Sequence, residues 1–125
     1  LATSVSKALN VDLIEKHYLE NAQVVGEYTL DALSEIAARH PSIGDARGIG
    51  LMIGVEFVMD QETKEPAVAL RDEIVDQAFT HGLLTLGCGN STIRLSPPLS
   101  TSRGEVDEAL KIFELAITTA EKQFL

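Results

Sequence analysis

Apolar residues recur at helical spacing from Asn10 to His40, at Val11, Ile14, Tyr18, Ala22, Val25, Ala32, Leu33 and Ile36, and the spacing predicts one long helix. Gly26 and Thr29 interrupt the stripe near its middle, and His40-Pro41 ends it, because proline disfavours helical geometry in the residue before it. At 1.5 Å per residue such a helix reaches roughly 45 Å. That is longer than a small domain needs, so part of its apolar face is expected to belong to something outside these residues.

The period then changes. Ile49, Leu51, Ile53, Val55 and Phe57 alternate with Gly48, Gly50, Met52, Gly54 and Glu56, which predicts a single strand with one apolar face. Its other face is mostly glycine, consistent either with close approach by another body or with an irregular strand that has nothing against it. A polar turn, Asp60 to Pro66, precedes a second helix with Ala67, Leu70, Ile74 and Ala78 on one face and Gly82 as its stop. Leu83 to Leu86 and Thr92 to Leu95 read as two short strands around a Gly-Cys-Gly-Asn-Ser loop. Ser102 and Glu105 have the spacing of a capping box, followed by a stripe of Val106, Ala109, Leu110, Phe113, Ala116, Ile117 and Ala120. The order helix, strand, helix, strand, strand, helix predicts an α+β fold, a small three- to four-stranded sheet with helices on one face.

Composition narrows the function classes. A chain of 125 residues fits one modest domain. The net charge of −9 is spread over helical faces and the ten basic residues form no stripe, which argues against nucleic acid or an anionic membrane surface as partner. There is no apolar run of about 18 residues to span a bilayer, and residues 1–9 lack the pattern of a signal peptide. The single cysteine, Cys88, excludes an internal disulfide and a cysteine-cluster metal site, and fits a cytoplasmic setting.

Among candidate motifs, Gly48-Ile49-Gly50-Leu51-Met52-Ile53-Gly54 fails as a dinucleotide fingerprint: its third glycine falls one residue late and it lies within a strand. Gly87-Cys88-Gly89 could place amides around an anion, though a hairpin loop is the simpler reading. His17, His40 and His81 have no partner at metal-ligand spacing, so no metal site is expected and they read as surface or boundary residues. The lysines Lys7, Lys16, Lys64, Lys111 and Lys122 lie near the start, on helices or in a polar turn, whereas a lysine that binds a carbonyl cofactor must be desolvated beside it. Arg94 stands apart. In Ile93-Arg94-Leu95-Ser96-Pro97-Pro98-Leu99 a permanent charge sits between apolar neighbours on a strand that stops abruptly. Its planar fork matches a carboxylate, and the alternative is an edge-strand arginine facing water.

That segment, with Arg47-Gly48-Ile49-Gly50-Leu51-Met52-Ile53-Gly54-Val55-Glu56 and Gly82-Leu83-Leu84-Thr85-Leu86-Gly87-Cys88-Gly89, resembles the C-terminal end of the class III pyridoxal-phosphate aminotransferases, the group of the 4-aminobutyrate, acetylornithine and ornithine enzymes. The resemblance runs from about Leu9 to Lys122. It implies that residues 1–40 are a connecting helix and residues 41–125 a small C-terminal α+β domain like that of the type I pyridoxal-phosphate fold. It also implies a large cofactor-binding domain upstream, a homodimeric parent, and transfer of an amino group from a 4-aminobutyrate or other ω-amino acid to a 2-oxo acid. Arg94 matches the family arginine that binds the substrate α-carboxylate, and Ser96, Pro97 and Pro98 would stiffen the segment that presents it. None of the five lysines matches the family's cofactor-lysine motif. The chain alone is therefore expected to be inactive and to bind no pyridoxal phosphate, with no catalytic or cofactor-binding residue of its own. A class III amino acid racemase with a similar C-terminal domain, or a free-standing interaction module, are the rival readings.

Overall fold

The computed structural model describes residues 2–97 and 101–125, with side chains in the first helix from residue 16 onward except residue 18. It contains helices α1 (Ala2–Arg39), α2 (Val68–Thr80) and α3 (Arg103–Phe124), and strands β1 (Ile43–Ile49), β2 (Met52–Phe57), β3 (Leu86–Cys88) and β4 (Thr92–Leu95). The strands form one antiparallel sheet in the order β1-β2-β4-β3. This is the expected α+β arrangement, with four strands. Ile53, Val55, Phe57 and Ile93 point from the sheet into a core shared with Leu33, Leu70, Ile74, Phe113 and Ile117 of the helices, while the alternate residues of each strand face outward.

The long helix is confirmed and starts earlier than the apolar spacing predicts, at Ala2. Its core-facing residues include Ala22, Val25, Leu33 and Ile36; the side chains of Val11, Ile14 and Tyr18 lie outside the described residues. Gly26 has a reason for being glycine. A Cβ there would stand 2.0 Å from the carbonyl oxygen of Gly50, so helix and sheet touch backbone to backbone at this point.

The single strand expected from Gly48 to Phe57 is instead a hairpin. Ile49 pairs with Met52, leaving Gly50 and Leu51 as a two-residue turn in which Gly50 adopts φ +58°. A positive φ at the first turn position matches the twist of the flanking strands, and glycine takes it without a Cβ penalty. Leu51 is buried, whereas Ile49 is 90% exposed, so the expected continuous apolar face breaks there. The body approaching the glycines is in part the chain itself: α1 at Gly50, and β2 at Gly48, where a Cβ would lie 2.4 Å from the Met52 carbonyl.

Helix α2 ends as its glycine predicts. Gly82 adopts φ +91°, its N–H donates to the Phe79 carbonyl, and the Leu83 N–H donates to the Ala78 carbonyl, the paired bonds of a Schellman cap. Leu83 thus belongs to the cap, and β3 covers Leu86–Cys88, later than the expected Leu83–Leu86. At the start of α3, Ser102 and Glu105 form the expected capping box.

His40 corrects the surface reading given to the histidines. It is buried at the end of α1, with Nδ1 2.6 Å from Glu121 Oε1 and Nε2 2.9 Å from Glu114 Oε2. Arg39 adds two hydrogen bonds to Glu114, and the Ser42 N–H donates to Glu121, so the α1–β1 corner is fastened to α3 by charged groups. Burial opposes charge on Glu114, but hydrogen bonds from His40 and Arg39 and their positive charge prevail and hold its pKa below the ordinary 4.5. A carboxyl whose pKa is lower folded than unfolded contributes stability above its unfolded value and loses it as pH falls through the folded one. The stability difference between the natural chain and Glu114→Gln is therefore expected to be full near neutrality and to shrink below pH 4.5. Denaturation midpoints across a pH series check this; a difference that stays constant to pH 3 would contradict it.

Candidate functional site

The outward face of the sheet carries the candidate site. Strand register aligns Arg47 of β1, Gly54 of β2, Arg94 of β4 and Leu86 of β3 in one row. Residues in register share a face, so two guanidinium-bearing side chains rise on either side of a residue with no side chain. With strands about 4.8 Å apart, their Cα atoms stand about 10 Å from each other. The nearest atom to a Cβ at Gly54 would be Thr92 Cγ2 at 3.7 Å, so the gap stays open. A depression of roughly 340 Å³ follows, lined by Arg47, Met52, Gly54, Cys88, Thr92 and Arg94 among others.

The side chain of Arg94 is exposed and, among the described residues, makes no hydrogen bond or ion pair. Yet its backbone is held on both sides, since β4 is an inner strand paired with β2 and β3. The alternative of an edge-strand arginine is thus corrected: the strand is interior, and exposure comes from the face. Its immediate neighbour Ile93 is fully buried, which fixes the side of the sheet on which Arg94 emerges. Arg47 lies 3.8 Å from Asp45, both exposed, a loose contact that solvent weakens. Ser96 and Pro97 follow β4 as non-strand backbone, while Pro98 and Leu99 lie outside the described residues.

The structure also revises the Gly87-Cys88-Gly89 reading. Gly87 and Cys88 belong to β3, and the carbonyls of Cys88 and Gly89 face a cation, Arg71 Nη1 at 3.2 and 3.4 Å. The same nitrogen donates to the Thr92 carbonyl at 2.9 Å, and Nε pairs with Asp72 at 2.8 Å. Arg71 is a residue that the sequence reading missed. The signal was there: it occupies the same stripe of α2 as Ala67, Leu70, Ile74 and Ala78, a charge on an apolar face.

The other sequence candidates are not brought to this face. His81 sits at the end of α2 against the Gln77 carbonyl, and among the described residues no cluster suited to a metal ion occurs. Lys16 pairs with Glu20, Lys64 reaches Gly44 O and Gln61 Oε1 from the turn after β2, and Lys111 and Lys122 are exposed on α3. The side chain of Lys7 lies outside the described residues. None of the described lysines is the desolvated amine that covalent capture of a carbonyl cofactor requires, so these residues do not fit an anchor for pyridoxal phosphate. Among the described residues no helix is long and apolar enough to cross a membrane.

Known proteins match nearly the whole chain. It is 34% identical over 122 residues to the leucine/methionine racemase of Thermococcus litoralis, covering 98% of this chain and 28% of that protein. It is 37% identical over 123 residues to the taurine–pyruvate aminotransferase of Bilophila wadsworthia, covering 92% and 27%. The crystal structure of a PLP-bound aminotransferase mutant from Vibrio fluvialis superposes with a TM-score of 0.80 at 26% identity, covering 88% of this chain and 25% of that one. The chain thus spans about a quarter of the length of the relatives it matches. The Aminotransferase class-III family model matches residues 1–117, and with the α+β sheet and its outward arginine row in place, the chain belongs to the class-III aminotransferases.

Proposed function

We propose that this chain is the carboxylate-binding part of a pyridoxal-phosphate-dependent aminotransferase, with Arg94 receiving the substrate acid group. The observation that carries the reading is an unpaired guanidinium on a doubly hydrogen-bonded inner strand, beside a glycine that leaves room for a ligand. A fork of parallel N–H donors binds a carboxylate at two points, fixing the orientation of the substrate as well as its position. The role is binding and alignment, not proton transfer. Pyridoxal phosphate supplies the electron sink for amino-group chemistry when bound. Its anchoring lysine and phosphate site are assigned to a larger domain of the intact protein, and residues 1–40 to the helix that connects that domain to residues 41–125. On this reading the chain is inactive by itself, the intact enzyme is a cytoplasmic homodimer, and its substrates are an ω-amino acid such as 4-aminobutyrate and a 2-oxo acid.

Amino transfer is reversible, so the α-amino acid formed from a 2-oxo acid is itself a donor, and the test compares L-alanine with 2-aminopropane, amines that differ by a carboxylate, as donors to the full-length protein. Arg94→Ala is expected to lower kcat/KM for L-alanine at least about tenfold, the loss of a charge-assisted contact of roughly 1.5 to 3 kcal/mol. Activity toward 2-aminopropane should persist. Arg94→Lys should also be impaired, since a point charge does not reproduce the fork. Equal kinetics of the natural and Arg94→Ala proteins toward L-alanine would remove the assignment.

A racemase reading is favoured by one observation, the similarity to the Thermococcus litoralis leucine/methionine racemase over 98% of the chain. The two separate in the same assay. A racemase inverts an amino acid with no net consumption of 2-oxo acid, whereas an aminotransferase consumes one acceptor for each donor.

A further inference from the structure

The strand that carries Arg94 is bordered on its outer side by β3, an edge strand of three residues, all exposed. Three residues of ladder are a weak hold on an edge, and such a strand frays unless something else ties it down. Leu86, the first of them, lies directly across from Arg94 and forms the outer wall of its row.

What ties the edge down is Arg71. Its residue is 9% exposed, its Nη1 bonds the carbonyls of Cys88, Gly89 and Thr92, and so it grips both strands and the turn of the β3–β4 hairpin from below. Gly87 makes the grip possible: a Cβ there would press to 3.1 Å from the same nitrogen. The guanidinium is anchored in turn by Asp72 and by its place on α2 between buried Leu70 and Ile74. A buried cation is tolerated only with its donors satisfied, and here backbone carbonyls supply most of the acceptors.

We propose that Arg71 is a positioning residue for Arg94, clasping the β3–β4 hairpin so that Leu86 stays beside the guanidinium and limits its rotamers to those that meet a carboxylate. This rests on the reading of Arg94 as the carboxylate site. Arg71 itself lies on the helix side of the sheet and does not line the depression that holds Arg94. Losing the clasp leaves Arg94 on its ladder with β2 but removes its outer wall, so the effect falls on carboxylate affinity rather than on chemistry common to all amines.

The experiment uses the full-length protein carrying Arg71→Met, Arg71→Lys or Arg94→Ala, with L-alanine and 2-aminopropane as matched donors. For Arg71→Met, KM for L-alanine is expected to rise about tenfold with kcat nearly unchanged, and KM for 2-aminopropane to stay put. Arg71→Lys, which can satisfy some of the carbonyls but not in fork geometry, should fall between. Amide hydrogen exchange should quicken in residues 86–95 and not in α3, a readout independent of turnover. Equal KM changes for both donors, or a lowered melting temperature with unaltered KM values, would make Arg71 merely structural and overturn the proposal. If Arg94→Ala discriminates between the donors and Arg71→Met does not, this inference alone fails. If Arg94→Ala does not discriminate, the carboxylate site fails and takes the inference with it.

Discussion

Replacing Phe113 with alanine is expected to remove about 3–5 kcal/mol of unfolding free energy, a large share of the 5–15 kcal/mol typical of a domain. Phe113 is fully buried on α3 and meets Phe57 of β2 edge to face, with ring centroids 6.2 Å apart and planes at 75°. Truncation forfeits the burial of the ring, opens a cavity between helix and sheet, and deletes an aromatic pair of about 0.5–1.5 kcal/mol. Ile117 and Val55, fully buried in the same core, are fixed by their own packing and do not fill the space. Phe79→Ala is the control, because Phe79 is 68% exposed and should matter within about 0.5 kcal/mol. Denaturant midpoints of the three proteins provide the measurement. A loss below about 1 kcal/mol for Phe113→Ala would mean that this contact is not part of the core.

Gly26→Ala is expected to lower stability by about 3 kcal/mol, although alanine is the better helix former by about 1 kcal/mol. The added methyl would fall 2.0 Å from the Gly50 carbonyl oxygen and 2.5 Å from its carbon, with backbone on both sides and no flexible side chain to yield. Helix and hairpin must separate, and the packing of Val25 and Leu51 at the same seam loosens with them. An exposed helix position tells the two effects apart: Ser34→Ala removes only a hydroxyl bonded to the Leu30 carbonyl and should be near neutral. Should Gly26→Ala prove stabilising, α1 does not rest on the hairpin as described.

Side-chain period revealed the elements in which one face is buried against large neighbours. The stripes of α2 and α3 and the alternation around Ile93 were legible for that reason, and Gly82 and the Ser102–Glu105 pair marked ends that the backbone confirms. Strand β1 was not legible. Its inward positions opposite Val55 and Ile53 are Ala46 and Gly48, too small to register as an apolar face, and at Gly48 the backbone of β2 comes too close to admit a side chain. The two-residue turn then preserved the parity of the alternation, so Ile49, Leu51 and Ile53 read as one strand although the chain reverses between them. Leu83 and Leu84 imitated a strand for another reason: Leu83 completes the cap of α2, and Leu84 faces solvent. His40 was hidden because its partners, Glu114 and Glu121, are more than seventy residues away in the chain. Arg94 was visible from its own neighbours. Its inner-strand setting, the bare Gly54 beside it and the hold of Arg71 come from contacts across the sheet, and no local window contains them.

The strand order has a consequence for how the arginine row comes into being. Arg47 and Gly54 lie on one hairpin and Arg94 and Leu86 on another, and the two meet through the β2–β4 pairing, which must close a long intervening segment that includes α2. Local hairpins form early and cheaply in entropy, whereas a pairing across such a loop waits for the core that rewards it. Neither hairpin contains the complete row. The site is thus a product of assembly rather than a portable motif, and a graft of Arg94 into another scaffold would have to carry both hairpins and the helix between them.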